Sequence, residues 1–357
     1  MKLERRKFLS LTAFAALSSK AMSNSLIVDS SQVQSSTITP NNTRNINIIP
    51  KALKKGSTIA ITAPASATNI WECHESINFF KKMGCNVVIG DTIKNSSTKY
   101  RYLSAPDEVR ASEFMKFVED KNIDCILCAR GGYGAMRILP MLNYETIKSN
   151  PKIIMGYSDI TALINSVYKL CNLVTFHSAI ASSIFNAFSN SNLTKILFLK
   201  DKFSPVEIKY PTIKSLVNGQ ASGKIVGGNL SVIAATLGTP YEIDTKDSIL
   251  LIEETSEEPY KIDRMLTQLW LAGKLQSASA LALGNFKGMD VRKCFYPYKS
   301  YTLREIFEQR IIPLKKPTII GLPFGHTEDK LTLPIGINAE IDATKCKMTL
   351  LEPSVKT

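Results

Sequence analysis

A short apolar run, Lys152-Ile153-Ile154-Met155, ends at Gly156-Tyr157-Ser158-Asp159 and passes directly into an apolar-periodic stretch from Ile160 to Tyr168. Such a run followed at once by helical spacing reads as strand, sharp turn and helix, the repeating unit of a parallel α/β sheet. A serine at that bend projects its hydroxyl beyond the carboxyl end of the sheet, beside backbone N–H groups aimed at the same spot. This is the layout of a nucleophile elbow. The second glycine usual in that motif is missing, and Thr161 stands near its place. Serine is also a good helix cap, so at this point Ser158 has two readings, cap or nucleophile.

The same alternation runs through residues 51–184. Strands are expected at 57–62, 85–89, 124–129 and 173–176, and helices from about 71 to 83 and from about 103 to 120. The second helix opens with Ser104 as its cap, then Pro106 and two acids in the first turn. Buried strands alternating with helices imply a parallel sheet covered on both faces. After about residue 184 the rhythm breaks. Residues 185–222 are polar, with Asn186, Asn190 and Asn192 close together, and read as an irregular linker. Residues 223–350 carry short strands at 224–226, 248–252, 281–283 and 318–320 and one helix from about 261 to 272. This half reads as a smaller α+β domain with a mixed or barrel-like sheet.

A chain of 357 residues, 44% hydrophobic and 21% charged, fits a globular protein of about two domains. The body of the chain contains no run of about 18 uncharged apolar residues, so no membrane span is expected there. The first 23 residues differ. Arg5-Arg6 is followed by Phe8-Leu9, a weakly apolar stretch from Leu11 to Leu17, and Ala21-Met22-Ser23, a small-x-small exit. Charged head, apolar middle and small-residue exit make a secretory signal, and the adjacent arginines point to the twin-arginine route and a periplasmic or exported protein. The alternative is a basic tail or a short helix lying on a membrane. Residues 24–50 read as a flexible spacer.

Removing residues 1–23 takes away five basic side chains and Glu4, so the formal charge falls from +13 to about +9. That charge could favour anionic wall peptides or nucleic acid, but the lysines are scattered and no nucleic-acid motif is present. Seven cysteines are irregularly spaced. Cys125 and Cys128 have CxxC spacing inside a strand-like run, which puts them on opposite faces, as small core residues rather than a metal pair or disulfide.

Three histidines can serve as a base: His74 in a helix, His177 after the 173–176 strand, and His326 beside Gly325 in a loop after the 318–320 strand. Glu253-Glu254 ends the apolar run Ile249–Ile252. Neighbours on a strand face opposite ways, so one of the two turns inward and needs a partner such as a histidine N–H. The alternative is that both acids simply solvate the strand end. Gly131-Gly132-Tyr133-Gly134 closes another strand with a backbone able to gather N–H groups around an anion. It lacks the third glycine of a dinucleotide fingerprint and the Lys-Ser/Thr of a phosphate loop. An oxyanion hole beside Ser158 fits it better.

Ala129-Arg130-Gly131-Gly132-Tyr133-Gly134, the block from Lys152 to Thr161, and Thr175-Phe176-His177 resemble the first domain of the LD-carboxypeptidases, the muramoyltetrapeptide carboxypeptidases. Gly227-Gly228-Asn229-Leu230-Ser231, the block from Leu251 to Leu266, and Gly325-His326 resemble the second. The likeness spans about residues 54–345, in order. It implies a flavodoxin-like first domain joined to a small β-rich second domain, commonly as a homodimer. It also implies a serine peptidase with Ser158 as nucleophile, Glu253 as acid and His326 as base. The oxyanion hole would come from N–H groups of Asp159 and Gly131 or Gly132, with no metal or cofactor. His177 then becomes a neighbour of the site or a structural residue. Two departures stand out: family members that recycle wall peptides are usually cytoplasmic, and the usual Glu-Asp pair is Glu253-Glu254 here. The expected substrate is a murein tetrapeptide losing its terminal D-alanine. A sister group cleaves microcin-type peptidyl nucleotides, and the core motifs do not separate the two. A non-catalytic peptide-binding protein is the rival of another class.

Overall fold

The computed structural model describes residues 47–96, 98–198, 203–288 and 300–357. The expected secretory signal, most of the expected spacer, and Cys294 lie outside the described residues. Two sheets organise the remainder. The first contains β1 (Thr58–Thr62), β2 (Asn86–Ile89), β3 (Cys125–Cys128), β4 (Ile153–Gly156) and β5 (Thr175–His177), all parallel. The second is built from β6 (Val206–Ile208), β7 (Lys214–Val217), β8 (Gln220–Asn229), β9 (Ser248–Thr255), β10 (Ala280–Lys287), β11 (Thr318–Ile320), β13 (Asn338–Asp342) and β14 (Lys347–Leu350). The intervening β12 (Leu333–Ile335) leaves the second half and pairs antiparallel with β5, giving the first sheet the order β12-β5-β4-β3-β1-β2. The first sheet is therefore not made from residues 51–184 alone. Pro334 is tolerated because β12 is an edge strand.

β3 and β4 are buried along their whole length, as expected for central strands covered on both faces. The second sheet is mixed, in the order β6-β14-β13-β8-β9-β10-β11-β7. Its centre, β8 to β11, is parallel, and antiparallel strands flank it on both sides. Ile249, Leu250, Leu251 and Ile252 are fully buried on β9. Each such side chain contributes about 1.5–3 kcal/mol through removal from water, which makes β9 a rigid support for the two acids near its carboxyl end.

Three expectations are corrected. Residues 185–222 are not irregular. They hold the helix Ala187–Leu197, β6, β7 and the start of β8. Asn186 is the N-cap of that helix and accepts the N–H of Ser189, while Asn190 and Asn192 lie within the helix and donate back to the Phe185 and Phe188 carbonyls. Ser104 does not cap the Asp107–Glu119 helix. Its hydroxyl donates to the Ala63 carbonyl at 2.6 Å, and Pro106 takes the cap position. The last residues of the expected spacer are pinned, since Ile48 exchanges backbone hydrogen bonds with Asn172 and Val174 and Pro50 accepts from Lys356. Cys125 and Cys128 are buried free thiols, and burial pushes both thiols upward in pKa. Among the described residues no helix is long and apolar enough to cross a membrane.

The Ile160–Cys171 helix joins the two halves. Asn165 donates to the Gly227 carbonyl at 2.9 Å and accepts the Gly227 N–H at 2.9 Å, while Thr161 Oγ1 accepts the Asn229 N–H at 3.1 Å. Thr161, standing where an elbow often has glycine, thus ties the serine-bearing helix to β8. β8 in turn lies beside β9, with Asn229 opposite Glu253.

Candidate active site

β4 ends at Gly156, and the turn to the Ile160–Cys171 helix puts Ser158 at φ 64°. Left-handed backbone at a residue other than glycine is strained and persists where surrounding structure enforces it. The Ser158 carbonyl accepts the Thr161 N–H at 2.9 Å, and the helix takes Asp159 as its N-cap. Ser158 is therefore the bend itself rather than the cap. Asp159 is buried, and its Oδ2 accepts the Ala135 N–H at 2.7 Å, fastening the elbow to the end of the glycine turn. Burial raises the Asp159 carboxyl to about 6, against the opposing pull of that N–H and of Arg110.

Gly131 lies against the serine. A methyl group there would sit 2.7 Å from Ser158 Cβ and 2.9 Å from Oγ, so only glycine permits the approach. The turn is braced from β1, because Ser66 N–H donates to the Gly131 carbonyl and Ser66 Oγ accepts the Tyr133 N–H. The N–H groups of Gly131, Gly132 and Asp159 find no acceptor among the described residues.

The other half of the site begins at β9. Glu253 is fully buried, and its carboxylate receives three hydrogen bonds: from His326 Nδ1 at 2.8 Å, from the His326 backbone N–H at 3.3 Å, and from Asn229 Nδ2 at 3.2 Å. A buried carboxylate left without such donors would be unfavourable by several kcal/mol. Gly325 makes the contact possible. Its φ is +81°, and a methyl group there would lie 2.3 Å from Glu253 Oε2. With Nδ1–H engaged by Glu253, the imidazole presents Nε2 as an acceptor. Nε2 lies 3.2 Å from Ser158 Oγ. The Tyr157 ring packs edge-on against His326 with centroids 5.0 Å apart, and the Lys330 ammonium lies over the Tyr157 face.

Both acids of the Glu253-Glu254 pair are buried, so neither simply solvates the strand end. Glu254 faces away from the histidine and accepts from the Ser231 and Thr255 N–H groups at 2.7 and 2.8 Å and from Asn229 Nδ2 at 3.1 Å. Burial holds its carboxyl above the usual range. Asn229, which the sequence reading gave no role, bridges the two carboxylates and caps the helix after it. An asparagine directly after Gly227-Gly228 and before an apolar helical run was the available signal.

The remaining histidines separate clearly. His74 is exposed at the cleft rim, with Nδ1 2.7 Å from the Trp71 carbonyl. His177 is buried behind the site between Tyr157 and Phe324, and neither ring nitrogen has a hydrogen-bond partner among the described residues. Desolvation lowers its pKa to about 4. The cleft above Ser158 has a volume of about 720 Å³ and is lined from both halves, by Arg130, Gly131, Gly132, Tyr157 and Ser183 on one side and Asn229, Ser231, Thr255 and His326 on the other. A separate hollow of about 500 Å³ near the carboxyl terminus, lined by Phe198, Phe203 and Val355, holds neither histidine nor cysteine.

An α/β half bearing a serine elbow, locked to a mixed-sheet half that supplies a buried acid and a loop histidine, defines a two-domain hydrolase of peptidase type. The chain belongs to the LD-carboxypeptidase family: the family's N-terminal domain matches residues 59–178 and its C-terminal domain residues 222–341. It is 36% identical over 316 residues, 87% of this chain and 96% of the relative, to the "Probable murein peptide carboxypeptidase" of Bacillus subtilis. It is 28% identical over 345 residues, 87% of this chain and 97% of the relative, to the microcin C7 self-immunity protein MccF of Escherichia coli. Among solved structures, the muramoyltetrapeptide carboxypeptidase from Oxalobacter formigenes superposes with a TM-score of 0.73 at 26% identity, over 84% of this chain and 100% of that one.

Proposed function

We propose that this protein is a serine carboxypeptidase that hydrolyses the amide between an L-centre, diaminopimelate or lysine, and the terminal D-alanine of murein tetrapeptides. The observation that carries the reading is the position of His326, 3.2 Å from the Ser158 hydroxyl and 2.8 Å from the Glu253 carboxylate. Ser158 Oγ attacks the scissile carbonyl while its proton passes to His326 Nε2. Glu253 holds the Nδ1–H tautomer and stabilises the imidazolium. The N–H groups of Asp159 and of Gly131 or Gly132 receive the developing oxyanion, a contribution on the order of 10²–10³ in turnover for each donor. Collapse of the tetrahedral intermediate breaks the C–N bond, and His326 returns the proton to the departing amine of D-alanine. Water then gives a proton to His326 and attacks the acyl ester, and Ser158 leaves with that proton restored.

The Arg5-Arg6 pair and the apolar stretch after it, read as an export leader over residues 1–23, support action on wall peptides after export in folded form, and the family resemblance supports a homodimer. The direct test is incubation of the purified chain with L-Ala-D-Glu-diaminopimelate-D-Ala. The expected result is loss of one alanine by mass. The 28% identity to MccF favours one second reading, hydrolysis of an aminoacyl-nucleotide antibiotic. Competition between the tetrapeptide and an aminoacyl-adenylate analogue separates the two, and preferential turnover of the adenylate would replace the murein assignment.

A further inference from the structure

Electrostatically, the cleft is uneven. Glu75, Glu254 and Glu257 line it, whereas Arg130 is the one permanently cationic side chain among the described residues that do so. Of the charged side chains lining this space, Arg130 alone attracts an anionic group. An enzyme restricted to the last peptide bond faces such a group in every substrate. The terminal carboxylate lies a single α-carbon beyond the scissile nitrogen, about 4 Å from the carbonyl that the serine attacks.

Arg130 lines the same cleft as Ser158. It directly precedes Gly131, the residue pressed against Ser158 Cβ and Oγ, so its side chain starts one residue from the nucleophile. The side chain is about half exposed, and Nη1 donates to Glu72 Oε2 at 3.1 Å. Glu72 is itself fixed by Thr68 Oγ1 at 3.0 Å and Asn69 Nδ2 at 2.7 Å. The guanidinium makes no other hydrogen bond among the described residues. An ion pair this exposed is weak, so Glu72 orients the guanidinium without saturating it. The Nε and Nη2 donors remain for a planar carboxylate, which arginine binds through two parallel N–H bonds.

We propose that Arg130, oriented by Glu72, is the receptor for the free carboxylate at the end of the substrate and thereby confines cleavage to the terminal residue. The proposal rests on the carboxypeptidase reading above. It is tested with two peptides, L-Ala-D-Glu-diaminopimelate-D-Ala and the same peptide ending in D-alaninamide, compared by kcat/KM on the full chain. The wild-type chain is expected to prefer the acid strongly. Arg130→Gln is expected to lower kcat/KM on the acid by about 10²-fold, the loss of a charge-assisted pair, and to bring the acid-to-amide ratio close to one. Arg130→Lys, which keeps the charge but not the fork, is expected to restore part of that ratio. A variant damaged only in its folding lowers both substrates alike and keeps the wild-type ratio, and that result would overturn the assignment of Arg130. A wild-type chain that cleaves neither peptide would instead overturn the peptidase reading on which the proposal stands.

Discussion

Ser158 reaches the cleft on a turn held by the Asp159 cap, the Thr161 N–H that its own carbonyl accepts, and the N–H that Asp159 accepts from Ala135, 24 residues earlier at the end of the glycine turn. His326 is held in the same cleft by Glu253, 73 residues earlier, and meets a serine 168 residues earlier. The serine side stores backbone strain in one residue, whereas the histidine side is relaxed locally but depends on a loop lying flat against a buried acid. The position of the proposed nucleophile is thus protected mainly by nearby segments, and the position of the proposed base by packing between distant ones. Damage to the first side should remove chemistry and leave the fold intact. Damage to the second should misplace the base in proportion to how far the loop is pushed.

The largest effect is expected from Ser158→Ala, which should reduce D-alanine release by about 10⁴-fold or more with a thermal midpoint close to wild type. A large loss of stability in that variant would show that the elbow serine also supports the fold. Gly325→Ala comes next. Its methyl group meets the Glu253 carboxylate at backbone φ +81°, and a displaced base should cost about 10²-fold in kcat. Gly238 supplies the control: its φ is +79° and nothing lies within 4 Å of the added methyl. Gly238→Ala should therefore lower stability by about 1–2 kcal/mol and leave kcat unchanged. Equal kcat losses in the two variants would refute the contact with Glu253 as the cause.

His177 sharpens the comparison through pH. Burial holds its pKa at about 4, below the ordinary value of about 6.5. The unfolded chain therefore binds a proton that the folded chain refuses between those values. Stability is fully present above about pH 6.5 and is lost as pH falls toward 4, by about 3 kcal/mol from this group. Asp159 works in the opposite sense, because its raised pKa of about 6 makes its contribution decline as pH rises through the interval from about 4 to 6. Urea melts of His177→Phe against wild type at pH 4.5 and 7.5 isolate the first effect, and the variant should lose less stability on acidification. Asn229→Ala, which removes the donor shared by Glu253 and Glu254, should lower kcat by about tenfold. A far smaller change would mean that backbone donors suffice to hold both acids.

The difference between the two sides also explains how far the sequence could be read. The elbow was visible because a short apolar run, a turn and a helical period are contiguous in the sequence. From its pattern Glu253-Glu254 was visible only as a pair, and the family resemblance rather than the pattern singled out Glu253, because the fate of each acid depends on Asn229 and on the N–H of Ser231, more than twenty residues upstream. The asparagines at 186, 190 and 192 have the composition of a linker, yet one caps a helix and two sit inside it, and composition does not distinguish these cases. β12 was hidden for a similar reason. Three residues around Pro334 carry no strand signal by themselves and become a strand only beside β5. Ser104 was placed by rule as a cap, whereas the open carbonyl of Ala63 claims its hydroxyl.

The central claim is that residues from the two halves act as one catalytic unit, and a double-mutant cycle addresses it most directly. Release of D-alanine is measured for Ser158→Ala, His326→Ala and the combined variant. The account predicts that the combined variant is no slower than the worse of the two single variants, since a nucleophile and its base lose their value together. Two large losses that multiply in the combined variant would contradict it.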